Sequence, residues 1–66
     1  MEFEIVFDRE EDGRWIAEIE SLPGVMVYGN TQSEARSKVE ALALRVIADK
    51  IEMDQSAPEQ VRFAVA

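Results

Sequence analysis

The sequence predicts an α+β domain in the order β-β-β-α-β, a two-layer fold with a mostly antiparallel sheet and one long helix on one face. Three observations point there. Apolar and polar residues alternate over 2–9, 14–20 and 61–65, the period of a half-buried strand. From Thr31 to about Met53 the apolar residues recur at helical spacing instead. Turn signals, Asp12-Gly13 and Pro23-Gly24, fall between the alternating runs.

In the first strand Phe3, Ile5 and Phe7 share one face, and Glu2, Glu4, Val6 and Asp8 the other. Glu10-Glu11-Asp12-Gly13 ends in a strong hairpin signal. The second strand puts Trp15, Ala17 and Ile19 on one face and Arg14, Ile16, Glu18 and Glu20 on the other. These two strands are expected to pair antiparallel, with Trp15 anchoring the contact between sheet and helix. Pro23 pre-sets the backbone and Gly24 accepts positive φ, as a type II turn requires, with Leu22 packed beneath. A short third strand, 25–28, ends at Gly29. Thr31-Gln32-Ser33-Glu34 fits a capping box and starts the helix.

Along that helix Ala35, Val39, Leu42 and Val46 lie in one arc flanked by Ala43 and Ile47, the side expected to cover the sheet. Glu34, Lys38, Arg45, Asp49 and Glu52 make a charged stripe. Ala41, Leu44, Ala48 and Ile51 lie on a further side, a candidate second contact surface. Asp54 to Pro58 breaks the helix. The fourth strand follows with Val61, Phe63 and Val65 on one face, and a crossover helix before it allows a parallel neighbour. The second face of the sheet stays open. Val6, Ile16 and either Val25/Val27 or Met26/Tyr28 must put apolar area there, which points to association.

Sixty-six residues make one domain, 1–66, that buries only roughly 60% of its unfolded surface. Small folds compensate with disulfides, a metal or oligomerisation. With no cysteine and no histidine, a homo-oligomer, a dimer or higher, is the expected route. The acidic, alternating N-terminus is not that of a signal peptide, and no apolar run approaches the roughly 20 residues of a membrane span. The expected compartment is the cytoplasm. Fourteen acidic residues against seven basic ones, a net charge of −7, argue against direct nucleic-acid contact and suit a basic partner.

No residue pattern calls for catalysis or a cofactor. Glu2, Glu4, Glu10, Glu11, Asp12, Glu18 and Glu20 sit on outward strand faces or in the hairpin turn, where carboxylates serve solvation and edge protection. The serines have no histidine to activate them. Gly29-Asn30-Thr31 precedes a helix N-terminus, but its spacing matches neither phosphate-binding fingerprint, and the capping residues take the donors. Catalytic, cofactor and metal residues are therefore expected to be none. Glu18 and Glu20, with Ala41, Leu44, Ala48 and Ile51, remain as candidates for a partner or oligomer interface.

Asp12-Gly13-Arg14-Trp15-Ile16-Ala17, then Leu22-Pro23-Gly24-Val25, then Gly29-Asn30-Thr31 with Glu34-Ala35, resembles the N-terminal domain of HicB-like antitoxins over residues 1 to about 54. The resemblance implies a partial RNase H-like fold and a type II antitoxin role. Such proteins block a small, basic, mRNA-cleaving toxin, a HicA-like ribonuclease, by covering its catalytic and RNA-binding surface. Two departures stand out. Ser21 replaces the acidic residue often found before Leu-Pro-Gly, and the expected form is a short, stand-alone one without the DNA-binding segment. RNase H-type nuclease chemistry needs several carboxylates for its metals. The fourth strand offers none and the first only Asp8 near its end. The alternative is a solitary oligomeric domain of the same fold with no toxin partner.

Overall fold

A computed structural model describes residues 1–66. Its elements are β1 (Glu2–Arg9), β2 (Trp15–Glu18), β3 (Met26–Gly29), α1 (Gln32–Asp54) and β4 (Arg62–Val65). The predicted α+β order is the observed one. The four strands form one mixed sheet in the order β3-β2-β1-β4. β1 pairs antiparallel with β2, β2 antiparallel with β3, and β4 parallel with β1. The long helix is what permits that last pairing, because parallel neighbours need a crossover.

Each turn is built by the residue its geometry demands. The Gly13 amide donates to the Glu10 carbonyl at 2.9 Å and the Glu10 amide to the Arg14 carbonyl at 2.8 Å. With Gly13 at φ 91 this is a three-residue hairpin loop closed by a left-handed glycine, not the two-residue turn that Asp-Gly most often makes. The Val25 amide donates to the Leu22 carbonyl at 3.0 Å, and Gly24 between them takes φ 84. Leu22 is buried under that turn as expected.

The core lies between the sheet and α1. Phe3, Ile5, Ala17, Ile19, Leu22 and Val25 are buried from the sheet side, and Ala35, Val39, Ala43 and Ile47 from the helix. The helix contact differs from the expected arc. Ala43 and Ile47 are central, while Leu42 and Val46 are half-buried at its flank. The contact follows the i, i+4 ridge, which is inclined to the helix axis, so the buried row drifts around the helix. α1 packs chiefly over β3 and β2 and touches β1 lightly.

Trp15 is not the centre of this interface. It is half-buried at the margin, edge-on to Phe7 at 6.5 Å, with the Arg9 guanidinium 5.3 Å from its ring centroid. The centre belongs to small residues. Ala17 is wholly buried, and a Cβ on Gly29 would lie 2.6 Å from the Ala35 amide nitrogen. Layers that close leave no room for an indole between them.

Candidate interaction surface

Alternation sends every second residue of the sheet away from α1. Register places Val6 beside Glu18 and Glu18 beside Met26, then Asp8 beside Ile16 and Ile16 beside Tyr28. On the other flank Glu4 lies beside Ala64 and Glu2 beside Arg62. Val6, Ile16 and Ala64 are half-buried, whereas Met26 and Tyr28 are exposed. The result is a surface on which apolar side chains and carboxylates are interleaved.

Its cations are already engaged. Arg14 Nε lies 2.8 Å from Asp12 Oδ2, and its guanidinium stacks 4.6 Å from the Tyr28 ring centroid. Arg62 Nε is 3.7 Å from Glu2 Oε2. Glu4, Asp8 and Glu18 take part in no ion pair, although Asp8 Oδ1 accepts the Arg9 amide at 2.8 Å. The face is therefore acidic as well as partly apolar.

The sequence candidates do not converge. Glu18 lies on this open face, but β2 ends there and Glu20 is carried into the following turn, exposed. Ala41, Leu44, Ala48 and Ile51 belong to the helical layer across the core, so they share no surface with Glu18. Within that helical set Leu44 and Ala48 are exposed, while Ala41 and Ile51 are half-buried, Ile51 against the core. Sequence reasoning placed Asp8 with Val6 and Glu18 with Ile16 on outward faces. It left open whether Met26/Tyr28 or Val25/Val27 joined them, and did not name Asp8, Met26 or Tyr28 as interface candidates. The signal was present in the alternation, but the phase of the third strand needed the pairing of Ala17 with Val27 to settle it.

The glycine-led loop before α1 is occupied by its own capping groups. Thr31 Oγ1 accepts the Glu34 amide at 3.0 Å, and Glu34 Oε1 accepts the Asn30 amide at 3.2 Å. The reciprocal bond thus reaches one residue beyond the cap. Lys38 Nζ sits 3.1 Å from Glu34 Oε1 and donates to the Tyr28 carbonyl at 3.2 Å. Lys38, through its hydrogen bond, then the Asn30 amide and the Lys38 charge hold the Glu34 carboxyl below its ordinary 4.5. Asp12 is likewise lowered from 3.8, chiefly by the Arg14 amide, with the Arg14 guanidinium adding to it and desolvation opposing both.

A carboxyl lowered on folding stabilises the fold fully above its unfolded pKa, and loses that effect as pH falls through the folded value. Comparing melting curves of the wild type and Glu34→Gln should show a wild-type advantage at pH 6 that shrinks below about pH 4.5. A gap that persists unchanged at pH 2 would refute the assignment. Thr31→Ala, which removes the cap itself, should cost about 1 kcal/mol at either pH.

Two shallow cavities complete the surface. One of about 280 Å³ is lined by Phe7, Gln32, Ser33, Arg36 and Val65. Another of about 340 Å³ lies under the helix C-terminus, where Met1, Ile47, Ile51 and Pro58 meet Lys50 and Asp54. Neither gathers reactive side chains, and no three carboxylates converge as a metal ligand set would. No helix is long and apolar enough to cross a membrane. Comparison with known proteins finds no matching family model, curated protein or solved structure.

Proposed function

We propose that this chain is a non-enzymatic binding module, an antitoxin-like domain of the cytoplasm that covers the active surface of a small basic ribonuclease. The observation that carries this reading is the open sheet face. Glu4, Asp8 and Glu18 stand there without cationic partners among Val6, Ile16, Met26 and Tyr28. A basic protein meets opposite charge and apolar area together on such a face, which speeds and orients docking. The net charge of −7 acts in the same direction. The β-β-β-α-β order agrees with the partial RNase H-like fold that the resemblance to HicB-like antitoxins implies.

The test is purification of the chain from its native host, followed by an RNA-cleavage assay on the small basic protein that accompanies it. Added chain should stop cleavage. The double variant Asp8→Lys/Glu18→Lys should slow association by about tenfold or more at low salt, and the difference should narrow as salt screens it. If no small basic protein is recovered, the toxin-blocking role falls and the alternative of a solitary oligomeric domain takes its place. RNA cleavage by the chain alone with Mg²⁺, abolished by Asp8→Asn, would overturn both.

A further inference from the structure

We infer that β4 is the self-association edge of this domain, and that two copies pair β4 against β4 antiparallel about a two-fold axis at Ala64. The inference stands apart from the partner reading, since it uses a strand edge in place of the open face, and different residues.

The sheet has two edges, β3 and β4, and they are finished differently. At the β3 edge the Ile19 amide donates to the Val25 carbonyl, so by alternation the main-chain groups of Met26 and Tyr28 point outward. Lys38 takes the Tyr28 carbonyl, and α1 lies over that side of the sheet. At the β4 edge the Arg62 amide donates to Met1 and the Ala66 amide to Ile5, both within the sheet. The N–H and C=O groups of Phe63 and Val65 therefore point outward, and no side chain bonds to them. Natural edges are blunted by inward charges, proline or a covering element. β4 has no proline and no covering element; it is short, and its one charged side chain, Arg62, is drawn to Glu2 and away from Phe63 and Val65.

The side chains agree. α1 packs chiefly over the other flank, so Val65 is 49% exposed and borders a cavity lined by Phe7 and, at the helix start, by Gln32, Ser33 and Arg36. Residues 61–66 hold no acidic side chain, and their one cationic side chain, Arg62, is paired with Glu2. A basic partner gains nothing on this strand. A second copy of a chain with net charge −7 meets no like charge directly across it.

Pairing centred on Ala64 sets Phe63 opposite Val65 of the second copy, and both residues then exchange their outward main-chain bonds. An aromatic beside a β-branched side chain is a favourable cross-strand pair. Ala64 meets its own copy at a close, non-hydrogen-bonded position, which its small side chain allows. The two four-stranded sheets become one continuous sheet, and the contact is isologous and closed.

The experiment is sedimentation equilibrium joined to amide exchange by NMR, at roughly 100 μM chain, well above a micromolar Kd. The wild type should show twice the 7.5 kDa chain mass, with the Phe63 and Val65 amides protected. Val65→Glu, at an exposed site, should restore the single-chain mass, keep the far-ultraviolet spectrum and release both amides to fast exchange. Leu44→Glu on the helix should leave the dimer intact. A single-chain mass for the wild type overturns the inference, as does a dimer with unprotected Phe63 and Val65 amides. That second readout needs no variant, so it decides the matter even if Val65→Glu fails to fold.

Discussion

Gly29→Ala should be among the most damaging single-methyl additions this chain can receive, at about 3 kcal/mol or more. Gly29 is buried at the end of β3 without needing positive φ, so conformational freedom is not its purpose. An added Cβ would lie 2.6 Å from the Ala35 nitrogen, 2.9 Å from its Cα and 3.0 Å from its Cβ. Two of those atoms are backbone, held by the bond from the Ala35 amide to the Thr31 carbonyl. They cannot swing aside as a side-chain tip would. The helix start must lift from β3, and the capping bonds at Thr31 and Glu34 go with it. A domain of this size has roughly 3–10 kcal/mol in total, so this one methyl removes about a third of its stability or more. Gly24→Ala is the control: its site is open, with nothing within 4 Å, and costs only the left-handed strain of about 1–2 kcal/mol. Urea midpoints measure both. Equal losses at the two sites would show that close packing at Gly29 is not the cause.

Ile5→Ala should cost about 2–5 kcal/mol, and Ile16→Ala less than about 1 kcal/mol. The residues are chemically identical and lie on adjacent strands. Ile5 is 0% exposed, between Phe3, Val65 and the helix layer, and truncation leaves a cavity in a central strand. Ile16 lies on the open face, half-buried between Asp8 and Tyr28, where water fills what a methyl leaves. The contrast tests which face of the sheet is core. Thermal or urea unfolding of the two variants side by side is the measurement. Similar losses would mean that the open face is also packed, for instance by a tightly bound partner.

The strands, the helix and their order are legible in the residues because each element buries one side only, and Phe3/Ile5 and Ala35/Val39 mark that side by period. The turns are legible because Gly13 and Gly24 are needed where the backbone enters left-handed φ. The third strand resists this reading. Val25, Met26, Val27 and Tyr28 are all sizeable and largely apolar, so hydropathy alone does not select a phase; pairing with Ala17 and Glu18 does. The same limit left the candidate surface incomplete at its third strand. Glu18 and Glu20 match in spacing, but the chain leaves the sheet after Glu18, a boundary that no side-chain period encodes. The helix row Ala41, Leu44, Ala48 and Ile51 shows the reverse case. Its spacing is real, yet the inclination of the packing ridge draws Ile51 toward the core and leaves Leu44 outside.

The parallel contact between β1 and β4 joins the two ends of the chain, with the Met1 amine donating to the Gln60 carbonyl across 59 positions. β2 and β3 reach β1 through short local turns, so three strands can zip from nearby contacts. Closing the fourth requires the longest loop in the molecule, and loop closure carries its entropy before any ladder bond offsets it. During synthesis the outer side of β1 therefore waits, unpaired, until residue 62 has left the ribosome. Timing, as much as geometry, makes the outer side of β1 the last main-chain edge of this sheet to be covered.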